Sequence, residues 1–136
     1  MNRRGLLRAA CAALMLTGGR IALAAEKRWY EAAAAMKRLA ESWGDQPYGA
    51  VLVAGDAIIG EGPSRVVQKN DPSAHAEREA IRDAQRRLGR NDLAGSVLYS
   101  TSRPCSLCES AAAEAGVERM IYGAGLRDAG KPRRKP

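Results

Sequence analysis

"PSAHAEREAIRDA", Pro72 to Ala84, contains His75, the only histidine in a chain of 136 residues. The stretch reads as the start of a helix, because Asp71-Pro72-Ser73 is a helix-start signal. Beyond it Ala80, Ile81, Ala84 and Leu88 recur at helical spacing and are expected to face inward, with Arg78, Arg82, Asp83 and Arg86 outward. Gly89 stops the run. In mid-helix, His75 and Glu77 would point about 200° apart, given 3.6 residues per turn. At a helix entrance they can share one site. Thirty residues after His75 a second helix start follows, Pro104-Cys105-Ser106-Leu107-Cys108. Pro104 suits a first turn, where its missing N–H costs nothing.

Outward from these two helices the elements fall into order. Glu26 to Ser42 is rich in helix formers, with an apolar stripe of Trp29, Ala32, Ala33, Met36, Leu39, Ala40 and Trp43 expected in the core. Tyr48 to Ala54 reads as a buried strand. Gly55-Asp56 suits a two-residue hairpin turn, and Ala57 to Gly60 returns. Ser96 to Ser100 is a third strand, the Cys-bearing helix runs through Ala111–Ala115 to Gly116, and Glu118 to Tyr122 is a fourth strand. The order α-β-β-α-β-α-β predicts a sheet with helices packed on it. From Gly123 onward nothing reads as a packed element.

The bulk numbers fit one soluble domain: 46% of residues are hydrophobic and 27% charged. The net charge of +7 is carried at the ends. Residues 1–24 hold four arginines and no acid, and 131–136 hold four more cations, which leaves Ala25–Gly130 at −1. The body therefore lacks the basic excess expected of a nucleic-acid binder, and the tail is expected to stay solvated. The first 24 residues have the layout of a secretory signal, with cleavage after Ala24. Arg3-Arg4-Gly5-Leu6-Leu7 resembles a twin-arginine signal, which exports folded proteins. The expectation is a periplasmic or exported protein with no stable membrane anchor, since Ala9–Gly19 is too short to span a bilayer. A start codon called too far upstream would instead make the chain cytoplasmic.

Cleavage removes Cys11 and leaves Cys105 and Cys108. Two cysteines can pair as a disulfide or act as a C-x-x-C redox couple, but both leave His75 and Glu77 idle. Cys105 and Cys108 are i, i+3 in a first turn and can face one ion. One imidazole and two thiolates are a catalytic zinc set with a fourth position open to water, whose pKa the ion lowers. Glu77 cannot close a structural site of the usual Cys/His type. It is suited to carrying protons.

H-x-E followed by P-C-x-x-C is the zinc deaminase signature. With "PYGAVLV", "IIGEG", "LYSTSRPCSLC" and "AGVERMIYGA", the chain resembles the cytidine deaminase superfamily over Pro47 to Ala124. The similarity is to the branch with guanine deaminase, cytosine deaminase and tRNA adenosine deaminase. The resemblance implies a three-layer α/β/α fold with a mixed sheet. This chain has only four clear strands, so it would be C-terminally short, with a deaminase domain at 25–124 and a basic, disordered tail at 125–136. The Glu118–Tyr122 strand would then be a sheet edge needing cover. It also implies zinc at His75, Cys105 and Cys108, with Glu77 as the catalytic proton carrier. Ser64, Ala76, Arg103 and Pro104 would be the substrate contacts. Ser64 stands where the family commonly has Asn, and Arg103 where relatives often have Glu. The activity implied is hydrolytic deamination of a free nucleobase or nucleoside (guanine, cytosine or adenine type) with release of ammonia. The protein would be a homodimer or larger, with no nucleic-acid partner. The alternatives are a cytosolic tRNA adenosine deaminase and a truncated, non-catalytic zinc-binding relative.

Overall fold

Five strands form one mixed sheet in the order β2-β1-β3-β4-β5. The computed structural model describes residues 26–136; the signal-like segment 1–24 lies outside them. The elements are α1 (26–42), β1 (Gly49–Ala54), β2 (Ala57–Pro63), α2 (Ala76–Leu88), β3 (Ser96–Ser100), α3 (Ser106–Ala115), β4 (Arg119–Tyr122) and β5 (Arg127–Gly130). β1 runs antiparallel to both β2 and β3, β3 and β4 are parallel, and β5 returns antiparallel along β4. No helix among the described residues is long and apolar enough to cross a membrane.

The sheet is covered on both faces, which explains why "GAVLVA" is an unbroken apolar run and not an alternating one. Ala50 and Leu52 point toward α2 and α3, where they pack with Ala80, Ile81, Ala112 and Met120. Val51 and Val53 point the other way, toward Trp29 and Ala33 of α1. Successive residues of one strand thus feed two cores, and the three layers follow. The ends of the sequence stripes do not hold. Leu39, Trp43 and Leu88 are exposed, since each lies in the last turn of its helix or just beyond it.

Gly60 and Gly62 seat α2 on β2. A Cβ on Gly60 would collide with the Ala80 carbonyl, and one on Gly62 with the Ala76 carbonyl and the Ala80 amide. The helix backbone lies directly on the strand there, at the turn that carries His75. Overpacking a tight contact costs about 1–3 kcal/mol. Gly62→Ala is therefore expected to lower stability in urea by at least that much and to weaken metal uptake, because the start of α2 must lift. An unchanged unfolding midpoint in urea would show that the contact is loose.

The expectation of four strands with an open β4 edge is corrected by β5. Arg127–Gly130 has no apolar residue larger than Ala129 and is mostly exposed, so side-chain patterning cannot reveal it. It forms chiefly through backbone pairing, Ile121 opposite Asp128 and Tyr122 opposite Arg127, with one cross-strand ion pair, Arg119–Asp128 at 3.5 Å. The hairpin turns at Gly123 (φ +74) and at Leu126 (φ +51). Positive φ is uncommon for leucine; here the Leu126 side chain packs onto the α1 core. Being four residues long and charged, β5 is itself a poor template for a further strand. The segment after it is not free. Pro132 is buried, and the amides of Arg133 and Lys135 donate to Glu109 Oε1 (3.2 Å) and Ser110 Oγ (3.1 Å) on α3.

Candidate active site

The loop into β1, the start of α2, and the loop from β3 into α3 all meet at one end of the sheet. Register places them there: Gly49 pairs with Pro63 and Ala50 with Ser100. Thr101 fixes the crossing, its Oγ1 accepting from the Gly49 amide at 3.1 Å. His75 is the N-cap of α2 and Cys105 the N-cap of α3, both with extended backbone. His75 is therefore not helical, and this removes the 200° conflict with Glu77. Pro104 precedes the cap instead of occupying the first helical turn.

His75 Nδ1 lies 3.6 Å from Cys105 Sγ and 3.4 Å from Cys108 Sγ. The three ligand atoms all fall within 4.8 Å of one another. Cys105 Sγ also accepts the Cys108 amide at 3.4 Å, capping α3. Both cysteines are free thiols turned to the histidine, not to each other as a disulfide. Zinc fits this donor set of one imidazole nitrogen and two sulfurs. With no cation beside it, burial and the Glu77 carboxylate push the Cys108 thiol up, and a bound cation inverts that preference.

Glu77 is only 5% exposed. Burial raises its carboxyl above the usual range, against the opposing pull of the Cys108 thiol. It lines a cavity of about 510 Å³ together with Gln46, Tyr48, His75, Ala76, Ser102, Arg103 and Cys105. Two expected substrate contacts, Ala76 and Arg103, are thus in the cavity wall. Pro104 instead lines a larger cleft of about 740 Å³ beyond Arg103. Ser64 lines neither. It is fully buried, and its hydroxyl donates to Asp45 Oδ1 at 3.1 Å. Ser64 as a substrate contact is therefore corrected. Sequence reading missed Gln46, Tyr48 and Ser102. The first two immediately precede the "GAVLVA" strand, and their place follows only from the register of β1 against β3.

Two buried carboxylates hold the loop between β2 and α2. Asp45 accepts from the amides of Gln46 (2.8 Å), Val67 (3.3 Å) and Gln68 (2.8 Å) as well as from Ser64. Glu79, 2% exposed, takes Lys69 Nζ at 2.9 Å and Arg82 at 3.0 Å. Arg82 also reaches Ser73 Oγ at 3.3 Å, two residues before His75. Burial acts to raise the Asp45 carboxyl, but its four donors outweigh burial and hold it below the usual carboxylate range. Its stabilising effect is therefore complete above about pH 4 and is lost as pH falls through its lowered pKa. Asp45→Asn is expected to cost about 1–3 kcal/mol at pH 7, and the difference from the parent should shrink below pH 4. Urea unfolding of both proteins across pH 7 to 3 checks this; a gap that stays constant with pH would count against it.

Residues 23–124 match the family model described as the cytidine and deoxycytidylate deaminase zinc-binding region. The chain belongs to the cytidine and deoxycytidylate deaminase family. Over 100 residues this deaminase-family chain is 37% identical to a tRNA-specific adenosine deaminase of Buchnera aphidicola, covering 74% of the chain and 66% of the relative. Over 83 residues it is 43% identical to the guanine deaminase of Bacillus subtilis, covering 61% and 53%. The Bacillus subtilis guanine deaminase structure superposes with a TM-score of 0.67 at 34% identity, covering 75% of this chain and 71% of that one. A structure from work on tRNA:A34 deaminases gives 0.68 at 38%, covering 71% and 70%. The chain spans between about half and two thirds of the length of these curated relatives. Similarity to tRNA deaminases is at odds with the expectation that nucleic acid is no partner.

Proposed function

We propose that the chain catalyses zinc-dependent hydrolytic deamination of a nucleobase-type ring. The observation that carries this is the buried Glu77 in the wall of the cavity onto which His75 and Cys105 also open. His75, Cys105 and Cys108 hold the metal, and zinc when bound supplies a water of near-neutral pKa. In the net reaction the ring carbon gains oxygen from water and its C–N bond to the exocyclic amine breaks. Glu77 moves the protons. Its carboxylate accepts one from water and passes it to the ring nitrogen, and a second goes to the departing amine, which leaves as ammonia. A raised carboxyl pKa suits a group that must hold a proton between transfers.

Tyr48 and Ala76 line the cavity beside Glu77 and give the ring apolar surface to lie on. With Ser64 turned to Asp45, Gln46 is the amide-bearing residue in the cavity lining, and Asp45 fixes its backbone at 2.8 Å. An amide can pair with both a donor and an acceptor on one base edge. Gln46 therefore takes over the reading of the base.

A free base or nucleoside is one substrate reading. Adenosine within tRNA is the second, favoured by the 37% identity to a tRNA-specific enzyme. Incubating the zinc-loaded protein with guanine, cytosine, adenine, their nucleosides and a tRNA anticodon stem-loop, and measuring ammonia, tests the proposal. Release from none of them would overturn it.

A further inference from the structure

The loop between β2 and α2 ends in His75, and a single carboxylate beyond that ligand gathers it. Glu79 stands one turn after His75 on α2 and is 2% exposed. Three cations surround its carboxylate: Lys69 at 2.9 Å, Arg82 at 3.0 Å and, more distantly, Arg65 at 3.8 Å. Arg65 and Lys69 belong to the start and middle of the loop. Arg82 extends the tie to its end. One guanidinium nitrogen donates to Glu79 Oε1 and the other to Ser73 Oγ, at 3.0 and 3.3 Å. We propose that Glu79 is a positioning residue for the metal ligand His75, acting through Arg82 and Ser73 on the loop that delivers the ring.

The His75 ring depends on its backbone for placement. A metal-bound histidine is ordinarily oriented by a partner on its second ring nitrogen. Here Nδ1 faces both sulfurs, and among the described residues no hydrogen bond reaches Nε2. His75 is also an N-cap without a side-chain capping bond. Its extended backbone continues the loop, so the ring goes where the loop puts it. The loop closes on itself at that end. The Ser73 amide and hydroxyl both donate to Asp71 Oδ1, at 2.9 and 2.7 Å, and the Arg65 amide donates to the Ala74 carbonyl at 3.0 Å. These local turns survive without Glu79, but the loop as a unit is then free to shift against α2. Ligand geometry is met in only a fraction of molecules, and apparent metal affinity falls by that fraction. The side chains of Arg65, Lys69 and Arg82 are 31%, 41% and 33% exposed. Without the carboxylate they can turn to water, so the fold does not depend on the tie.

The inference rests on the zinc site and not on the reaction, so zinc alone is the probe. Affinity is measured by competition with a chelator at neutral pH, where the metal-free proteins are folded. Urea unfolding of the metal-free forms is measured beside it. The proteins are the parent, Glu79→Gln, Ser73→Ala and the double variant. Glu79→Gln is expected to weaken zinc binding by about 10–100-fold, the range for groups that orient a ligand, and Ser73→Ala by about threefold or more. The metal-free urea midpoint of Ser73→Ala should hardly move. In the double variant the losses should overlap, staying within about twofold of Glu79→Gln alone, since both cut one chain of contacts. A residue that only stabilises the fold lowers the urea midpoint and leaves the zinc affinity of folded molecules unchanged. Affinities of both single variants within about twofold of the parent overturn the proposal, and losses that multiply in the double variant overturn the route through Arg82. If Glu79→Gln does not fold, Ser73→Ala decides, and unchanged affinity there overturns the proposal. A parent that takes up no zinc overturns the metal site and the proposal together. If the affinities fall as described in a protein that releases no ammonia, the positioning role stands and the deaminase reading falls.

Discussion

Glu77→Gln is expected to reduce turnover by about 10²–10⁴-fold, the range for a positioned acid–base group, with zinc content and fold unchanged. Glutamine has nearly the same shape, so the buried position accepts it without a cavity. It also removes a charge that burial already disfavours. Stability should therefore hold or rise slightly while kcat collapses. KM should move little if, as proposed, Glu77 acts on protons in transit and Gln46 reads the base. Steady-state kinetics beside metal analysis separates these effects. Activity within about threefold of the parent would remove Glu77 from proton transfer, and loss of zinc would make it a ligand instead.

Removing the metal should have the other large effect. About one zinc per chain is expected, lost on Cys108→Ala together with all activity. Stability should fall as well, because a metal bound to His75 and Cys105 ties residues thirty apart. The chain-entropy argument for a cross-link closing a loop of that length gives about 3–5 kcal/mol. A chelator should shift the urea midpoint of the parent and leave that of Cys108→Ala unmoved. Thiol titration adds a check: Cys105 and Cys108 should react slowly with zinc present and quickly without it. A parent with no metal and a stable Cys105–Cys108 disulfide would return the redox reading.

Most of the fold was legible because both faces of the sheet are buried. Continuous apolar strands such as "GAVLVA", and helices closed by Gly89 and Gly116, leave few alternatives. The metal set was legible because its spacing reflects two helix starts, which have their own sequence signals. β5 was not, since "RDAG" pairs by backbone and carries no hydrophobic pattern. The cavity wall was legible only in part. Ala76 and Arg103 flank recognisable ligands, whereas Gln46 and Tyr48 come to the site through the antiparallel register of β1 and β3. Ser64 misled for a related reason. Its position in the chain fits a substrate contact, but Asp45, nineteen residues earlier, captures its hydroxyl, and no local pattern announces that partner. Glu79 was unmarked for the same reason, since its cations come from the preceding loop and from the next turn of its own helix.

His75 and Cys105 each occupy the boundary residue where a loop becomes a helix. Gln46, Tyr48, Ser102 and Arg103 all lie in the connections leading up to such boundaries or into a strand. On the proposed function, the metal and proton chemistry sits on helix ends, while most of the remaining cavity wall sits on short links. On that reading, a change at 46–48 or 102–103 is expected to retune which ring is accepted without disturbing the ion or the proton carrier. Such an arrangement lets one chemistry be fitted to a new molecule by editing a handful of positions, and makes those positions the natural targets for redesign.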